Sequence, residues 1–347
     1  MDINELLQLS INSKASDLHL LPDLPPLMRI HGELAPINDH PPLSPDDVKR
    51  LVYQAMTEQQ HKAFEKRTVL NYGLQMPNIG NFRVSAFHEM RGVAGVFRII
   101  NEQVPSFDEL GLPPVFKALL SLTSGLIVVT GPTGSGKSTT LAALLDFINA
   151  NQSKHILTIE DPIEYIHTSK KSAISQMQVE RDTPDFDTAV RSSLRQDPDV
   201  ILIGELRDLD TIRHALIAAE TGHLVLTTLH ASSAPLTISR IVDIFPTAEK
   251  NRIRNLLSET LQAVICQTLV KKISGGRIAA FEILLATPAI RHLIRNDMAT
   301  HMQTALQTNG DIGMCTMEQY LQTLVAKQLI TNATARAQAI NRGSFNE

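Results

Sequence analysis

Gly131-Pro132-Thr133-Gly134-Ser135-Gly136-Lys137-Ser138 satisfies the pattern G-x-x-x-x-G-K-[ST] at every fixed position, and Thr139 and Thr140 follow at once. The residues on either side fix its meaning. Leu126-Ile127-Val128-Val129-Thr130 reads as a buried strand, and residues 139–145 open an apolar helix. A glycine-rich turn between strand and helix aims several backbone N–H groups and a helix N-terminus at one point, where a polyphosphate fits. In that pattern Lys137 reaches the β- and γ-phosphates and the Ser138 hydroxyl sits on Mg²⁺. A glycine-rich turn with a chance lysine would need neither flanking element. The sequence therefore predicts a nucleoside-triphosphate site built from Gly131, Pro132, Thr133, Gly134, Ser135, Gly136, Lys137, Ser138 and Thr139.

Working outward, 347 residues are enough for two domains with at least one large core. A net charge of −4 argues against a general nucleic-acid binder, which needs a basic face to neutralise phosphates. No apolar run approaches the ~18 residues of a membrane span. Met1-Asp2-Ile3-Asn4-Glu5-Leu6 is acidic and has no signal-peptide n-region, so a cytoplasmic protein is expected. Cys266 and Cys315 are too few and too far apart for a disulfide framework or a zinc set, and read as small buried apolar residues.

Residues 1–100 read as a small α/β domain. A helix over 3–13 precedes an alternating strand at 16–20, then a proline-rich loop, a strand at 27–30 and a turn at His31-Gly32 with a returning strand. Ser44-Pro45-Asp46-Asp47 carries the signals of a helix start: N-cap Ser, Pro at the first position and acids in the first turn. Two strands, at 81–87 and 95–100, close the domain. Residues 101–114, with three prolines, read as a linker. From 115 to 347 strands and helices alternate, which implies a mainly parallel sheet. Strands are expected at 156–159, 200–203, 223–230 and 277–285, with helices at 187–195, 209–221 and 248–269. Beyond Pro288 the chain reads as helical almost to its end.

In an open parallel sheet, ligands bind beyond the carboxyl ends of the strands. Those ends carry the phosphate loop, Glu160-Asp161, Gly204-Glu205 and Thr228/His230. Acids at two such ends suit hydrolysis of a magnesium nucleotide, one holding the metal or its water and the other orienting the attacking water. Acids that merely cap the following helices are the alternative. Gly204 stands where an acidic pair would place Asp, so the residues alone leave either Glu160 or Glu205 for either role. His223 and His230, seven apart on one strand, would fall on opposite faces roughly 23 Å apart. Of the two, His230 is the candidate to sense the γ-phosphate. Arg83, Arg91 and Arg98 fall within sixteen positions; by pattern alone they are a solvated face, and an exposed arginine on a strand contributes little to folding.

The ordered set of motifs resembles the PilT-type retraction ATPases of the type IV pilus, within the secretion ATPase superfamily. Ala15-Ser16-Asp17-Leu18-His19-Leu20, the phosphate loop, Thr158-Ile159-Glu160-Asp161-Pro162-Ile163-Glu164 (an aspartate box), 197–208 (an atypical Walker B with Gly204), 221–230 (a histidine box) and Thr287-Pro288-Ala289-Ile290-Arg291-His292-Leu293-Ile294 carry it. The resemblance implies a PAS-like N-terminal α/β domain followed by a RecA-like P-loop ATPase domain with a mainly parallel sheet and a helical C-terminal end. With ATP as the nucleotide, the strand-end residues give Mg²⁺ held by Ser138 and Glu205, and catalysis by Glu205, Glu160 and His230. By the resemblance, Arg83 and Arg98 would reach phosphates from the N-terminal side, with Arg91 a weaker candidate. As partners it implies five further copies in a homo-hexamer, an inner-membrane pilus platform protein and a paralogous retraction ATPase, with no nucleic acid. The expected location is cytoplasmic, peripheral at the inner face of the inner membrane. Extension and export relatives usually carry a long N-terminal domain and a four-cysteine zinc loop; neither is read here, which favours retraction. His292 in place of Asn, and Leu226-Thr227 in place of Phe-Gly, depart from the pattern and keep an accessory retraction ATPase, or one of a type IV-like secretion system, as alternatives. A RecA-type nucleic-acid motor is the more distant rival; few aromatic residues and acidic charge oppose it.

Overall fold

A computed structural model describes residues 2–30, 32–37, 40–100, 103–339 and 345. His31 of the expected hairpin turn, Asn101 and Glu102 of the expected linker, and most of 340–347 lie outside the described residues. The chain divides into two compact units: Met1–Gln103 with Glu164–Ile166, and Val104–Ile163 with His167–Glu347.

The first unit is built from α1 (Ile3–Asn12), β1 (Asp17–Leu20), β2 (Leu27–Ile30), β3 (Glu33–Pro36), α2 (Pro45–Gln54), α3 (Glu58–Phe64), β4 (Val69–Met76), β5 (Gly80–Glu89) and β6 (Gly92–Ile100). Its antiparallel sheet runs β3-β2-β1-β6-β5-β4. Period-two alternation turns Leu18, Leu20, Phe82, Val84 and Phe97 onto one face, where they bury Leu7 of α1, Leu51 of α2 and Phe64 of α3. Ser44 caps α2 through its side chain, as its sequence signals, a contact worth about 1 kcal/mol. β4 is absent from the sequence reading: Val69-Leu70-Asn71-Tyr72-Gly73 lacks clean alternation, and pairing with β5 alone decides it.

The opposite face of this sheet holds a cross-strand row in register, Arg29–Asp17–Arg98–Arg83. Asp17 is 3% exposed. Its carboxylate accepts from Arg98 Nε at 2.8 Å and from the Ser16 hydroxyl at 2.7 Å, with Arg29 Nε at 3.9 Å. Burial pushes its pKa up, but these hydrogen bonds and the Arg98 charge outweigh that and hold it below the ordinary value. Arg98 is itself exposed, but it neutralises a buried carboxylate, a partner its sequence pattern does not show. Arg91 pairs with Glu89 across the β5–β6 turn.

The second unit comprises α4 (Val115–Leu119), β7 (Gly125–Thr130), α5 (Lys137–Asn151), β8 (His155–Glu160), β9 (Ala173–Gln178), α6 (Phe186–Ser193), β10 (Val200–Ile203), α7 (Leu209–Glu220), β11 (Leu224–Leu229), α8 (Ala234–Asp243), α9 (Thr247–Thr260), β12 (Leu261–Lys271) and β13 (Arg277–Leu285). Helices α10 (Pro288–Arg295), α11 (Met302–Thr308), α12 (Met317–Ala326) and α13 (Asn332–Gln338) follow, giving the helical C-terminal region. The sheet order is β13-β12-β7-β11-β10-β8-β9, parallel except for β13. Buried residues such as Leu126, Ile201 and Val225 face one helical layer, and their neighbours Ile127, Leu202 and Leu226 face the other.

The structure differs from the sequence expectations here. The helix expected over 248–269 ends at Thr260, and 261–271 is a strand. Ile253, Leu257, Leu261 and Val264 keep a helical spacing, so periodicity cannot mark the switch; hydrogen bonding to β7 and β13 does. Strand β9 was unread because 173–178 is mostly polar and sits at the sheet edge. Within the expected linker, Phe107 and Leu112 are buried in the second unit's core. Both thiols are free, and burial pushes them up, Cys266 to about 12 and Cys315 to about 11.

Candidate nucleotide site

β7 is buried at all six positions, and the chain leaving it can turn only because of its glycines. Gly131 has φ +146°, and a Cβ there would lie 2.2 Å from the Gln267 carbonyl oxygen. Gly136 (φ +87°) is the left-handed residue from which α5 starts. Lys137 heads that helix. Its Nζ donates to the Gly131 and Pro132 carbonyls, each at 3.0 Å, and stands 3.5 Å from His230 Nδ1. Ser138 and Thr139 follow in the first turn, both half-buried.

Gln267 was missed by sequence reasoning because its strand was read as helix. It is 1% exposed, donates to the Ser135 carbonyl at 2.8 Å and accepts from the Thr140 hydroxyl at 2.8 Å. One amide thus ties the loop to the helix it opens. On the strand paired with Gln267's own, Glu282 is another buried group outside the earlier reading. Its carboxylate accepts from the Ala234 N–H at 2.7 Å and from that of Met317, and so holds the first turns of α8 and α12; burial raises its pKa.

The residues at the neighbouring strand ends form a connected set. His230 lies just beyond β11, its Nε2 3.4 Å from Glu205 Oε2. A lysine can only donate, so Nδ1 is the acceptor and Nε2 carries the proton toward Glu205. Glu205 also pairs with Arg207, whose Nη1 donates to Asp161 Oδ2 at 3.0 Å. The structure thus brings Lys137, His230 and Glu205 together. Glu160 is held separately at the end of β8, its Oε1 accepting from Thr158 Oγ1 at 2.7 Å and Gln176 Nε2 at 3.2 Å. Arg83 and Arg98 belong to the first unit. His223 stands before β11, its Nδ1 3.0 Å from the Ala218 carbonyl, a packing role.

Gly204 has a steric explanation. A Cβ there would lie 3.2 Å from the Ile159 carbonyl oxygen and 3.4 Å from Glu160 Cα. The same carbonyl accepts the Gly204 N–H at 2.8 Å, so any retreat lengthens that bond. An Asp at this position would press on the backbone that carries Glu160.

A phosphate loop leaving a buried strand of a parallel sheet, with acids at the ends of adjacent strands, defines a P-loop nucleoside triphosphatase. The protein comparisons narrow this. A model of the family described as "Type II/IV secretion system protein" matches residues 1–339, and the chain belongs to that family and is an ATPase. It is 53% identical over 339 residues to a type IV pilus retraction ATPase, PilT, of Pseudomonas aeruginosa, covering 98% of each chain. It is 48% identical over 322 residues to a twitching motility protein of Neisseria gonorrhoeae, covering 92% of this chain and 86% of the relative. Among solved structures, the pilus retraction motor PilT with bound ADP superimposes at a TM-score of 0.93 with 42% identity and 99% coverage of each chain.

Proposed function

We propose that this chain is an ATP-driven motor that powers type IV pilus retraction, seen in cells as twitching motility. The observation that carries the reading is an intact phosphate-loop site in a chain that matches a retraction ATPase along 98% of both lengths. A hydroxyl and a carboxylate, Ser138 and Glu205, make the all-oxygen pair that suits Mg²⁺. Mg²⁺ held by these two residues would supply charge neutralisation for the phosphates. The chain's own residues do the rest. The loop N–H groups and Lys137 bind the phosphates; the Lys137 ammonium exchanges two carbonyl partners for phosphate oxygens. Glu160 orients the attacking water, and Glu205 polarises water beside the metal. His230, between Lys137 and Glu205, senses the γ-phosphate by losing or keeping both neighbours. Arg83 and Arg98 stabilise phosphate charge from the first unit.

The motor works as a homo-hexamer against an inner-membrane pilus platform protein, at the cytoplasmic face of that membrane. A paralogous retraction ATPase is a further partner. In support, a relative named type IV pilus ATPase PilU is also 39% identical over 340 residues. Among the described residues no helix is long and apolar enough to cross a membrane. The histidine-box departure, Leu226-Thr227, is fully buried in β11 and concerns packing, whereas His292 is exposed.

Two measurements test the reading together: phosphate release by the purified chain and by Lys137→Ala, and pilus retraction in a deletion strain complemented with each. Wild type should hydrolyse ATP and restore retraction, and Lys137→Ala should do neither while staying folded. Turnover retained in Lys137→Ala overturns the site. Hydrolysis by wild type without restored retraction overturns the pilus role and leaves the ATPase standing.

A further inference from the structure

We propose that Gln176 is the positioning residue for Glu160: its amide, locked from behind by the backbone of the loop between β8 and β9, holds the Glu160 carboxylate in the orientation that handles water. This rests on the reading of Glu160 as the water-orienting acid.

Gln176 lies on β9, in register with Thr158 on β8. Thr158 and Glu160 are two residues apart on one strand and share a face, so the Gln176 side chain meets both. Glu160 Oε1 accepts from Thr158 Oγ1 at 2.7 Å and from Gln176 Nε2 at 3.2 Å. Two donors on one oxygen fix the plane of a carboxylate.

What fixes Gln176 is the next link. Its Oε1 accepts the His167 backbone N–H at 2.8 Å. A backbone N–H can only donate, so the oxygen must face His167 and the NH₂ must face Glu160. The amide has one orientation, and that orientation favours an ionised carboxylate, which only accepts. His167 is not adrift either. Asn149 on α5, fully buried, donates to the Thr168 carbonyl at 2.8 Å and accepts the Lys170 N–H at 2.9 Å. The Lys171 N–H bonds the Asn149 carbonyl at 2.9 Å. The helix that starts in the phosphate loop therefore holds the 167–171 segment, that segment holds Gln176, and Gln176 holds Glu160.

The test is steady-state ATPase kinetics of the full-length protein against pH for Gln176→Glu, Gln176→Leu and Glu160→Gln. Gln176→Glu keeps the acceptor for His167 but sets a second carboxylate against Glu160, so it preserves the loop contact and breaks the contact proposed. It should lower kcat about tenfold or more with KM for ATP changed less than about threefold. The acidic limb of kcat should move up by about one pH unit, since a carboxylate that loses a donor and gains a like charge binds its proton more tightly. Gln176→Leu should lower kcat similarly, with a smaller shift of the limb. If Glu160→Gln abolishes turnover while Gln176→Glu keeps wild-type kcat and pH limb, Gln176 only anchors the loop and the proposal falls. If Glu160→Gln itself turns over normally, the fault lies in the role given to Glu160, and the proposal falls with it.

Discussion

Arg98 donates its Nε to Asp17 at 2.8 Å, while Arg83 stands directly opposite Arg98 on the neighbouring strand. Like charges so placed repel, and the nearly buried Asp17 carboxylate is what makes the row tolerable. Arg98→Ala should therefore cost about 1–3 kcal/mol, because it strips a partner from a buried charge. Turnover per folded molecule should fall further still if Arg98 reaches phosphate. Asp17→Asn should cost about 1–2 kcal/mol at neutral pH. The folded pKa of Asp17 lies below its ordinary 3.8, so this stabilisation is complete above that pH and lost as pH falls through the lower folded value. The gap in melting temperature between the wild type and Asp17→Asn should be full at pH 6, begin to close near pH 3.8 and vanish only below the lower folded value. A constant gap would assign the effect to packing.

Glu160→Gln and Glu205→Gln should separate. Loss of the water-orienting acid spares Mg·ATP binding, whereas loss of the metal-side acid weakens it. Binding titrations should show near wild-type affinity for Glu160→Gln and about tenfold weaker, magnesium-dependent affinity for Glu205→Gln. Equal affinities would remove the distinction between the two acids. Glu205→Gln also loosens Arg207, so the Asp161 contact should be checked in a structure of the variant.

Gly204→Ala should lower kcat several-fold although it adds a single methyl. The new Cβ meets a carbonyl that is already hydrogen-bonded, and the strain passes to Glu160. Overpacking of this kind costs about 1–3 kcal/mol. Gly204→Asp, which restores the more usual acidic pair, should do worse rather than better. A Gly204→Asp variant faster than wild type would show that the steric account is wrong.

Replacing Leu293 by Ser should uncouple the motor. Thr287 caps α10, and Ile290 and Ile294 are buried while Leu293 packs only in part. Arg291 leaves that stripe to donate to the Ser258 and Glu259 carbonyls at 2.6 and 2.7 Å, closing the last turn of α9. The helix is therefore anchored without Leu293. ATPase activity should stay within about threefold of wild type while pilus retraction fails. If both decline in step with the amount of folded protein, Leu293 is only core.

The phosphate loop, the acids at 160 and 205, His230 and the capped starts of α2 and α10 were legible in the sequence because each is a local pattern. Spacing along a few residues dictates a turn, a cap or a strand end, and these chemical demands leave little freedom. The long-range partners were not legible. Whether 261–271 is helix or strand depends on β7 and β13, since its apolar spacing serves both. Gln267, Gln176 and Arg207 gain their meaning from atoms distant in sequence, and a polar residue on an unrecognised strand carries no pattern of its own. Gly204 showed as a departure, but its cause is a carbonyl on another strand. Arg98 is exposed, as its sequence suggests, but only register across β1 and β6 placed a buried carboxylate beside it. Local sequence set the chemistry, and strand pairing decided which side chains hold that chemistry in place.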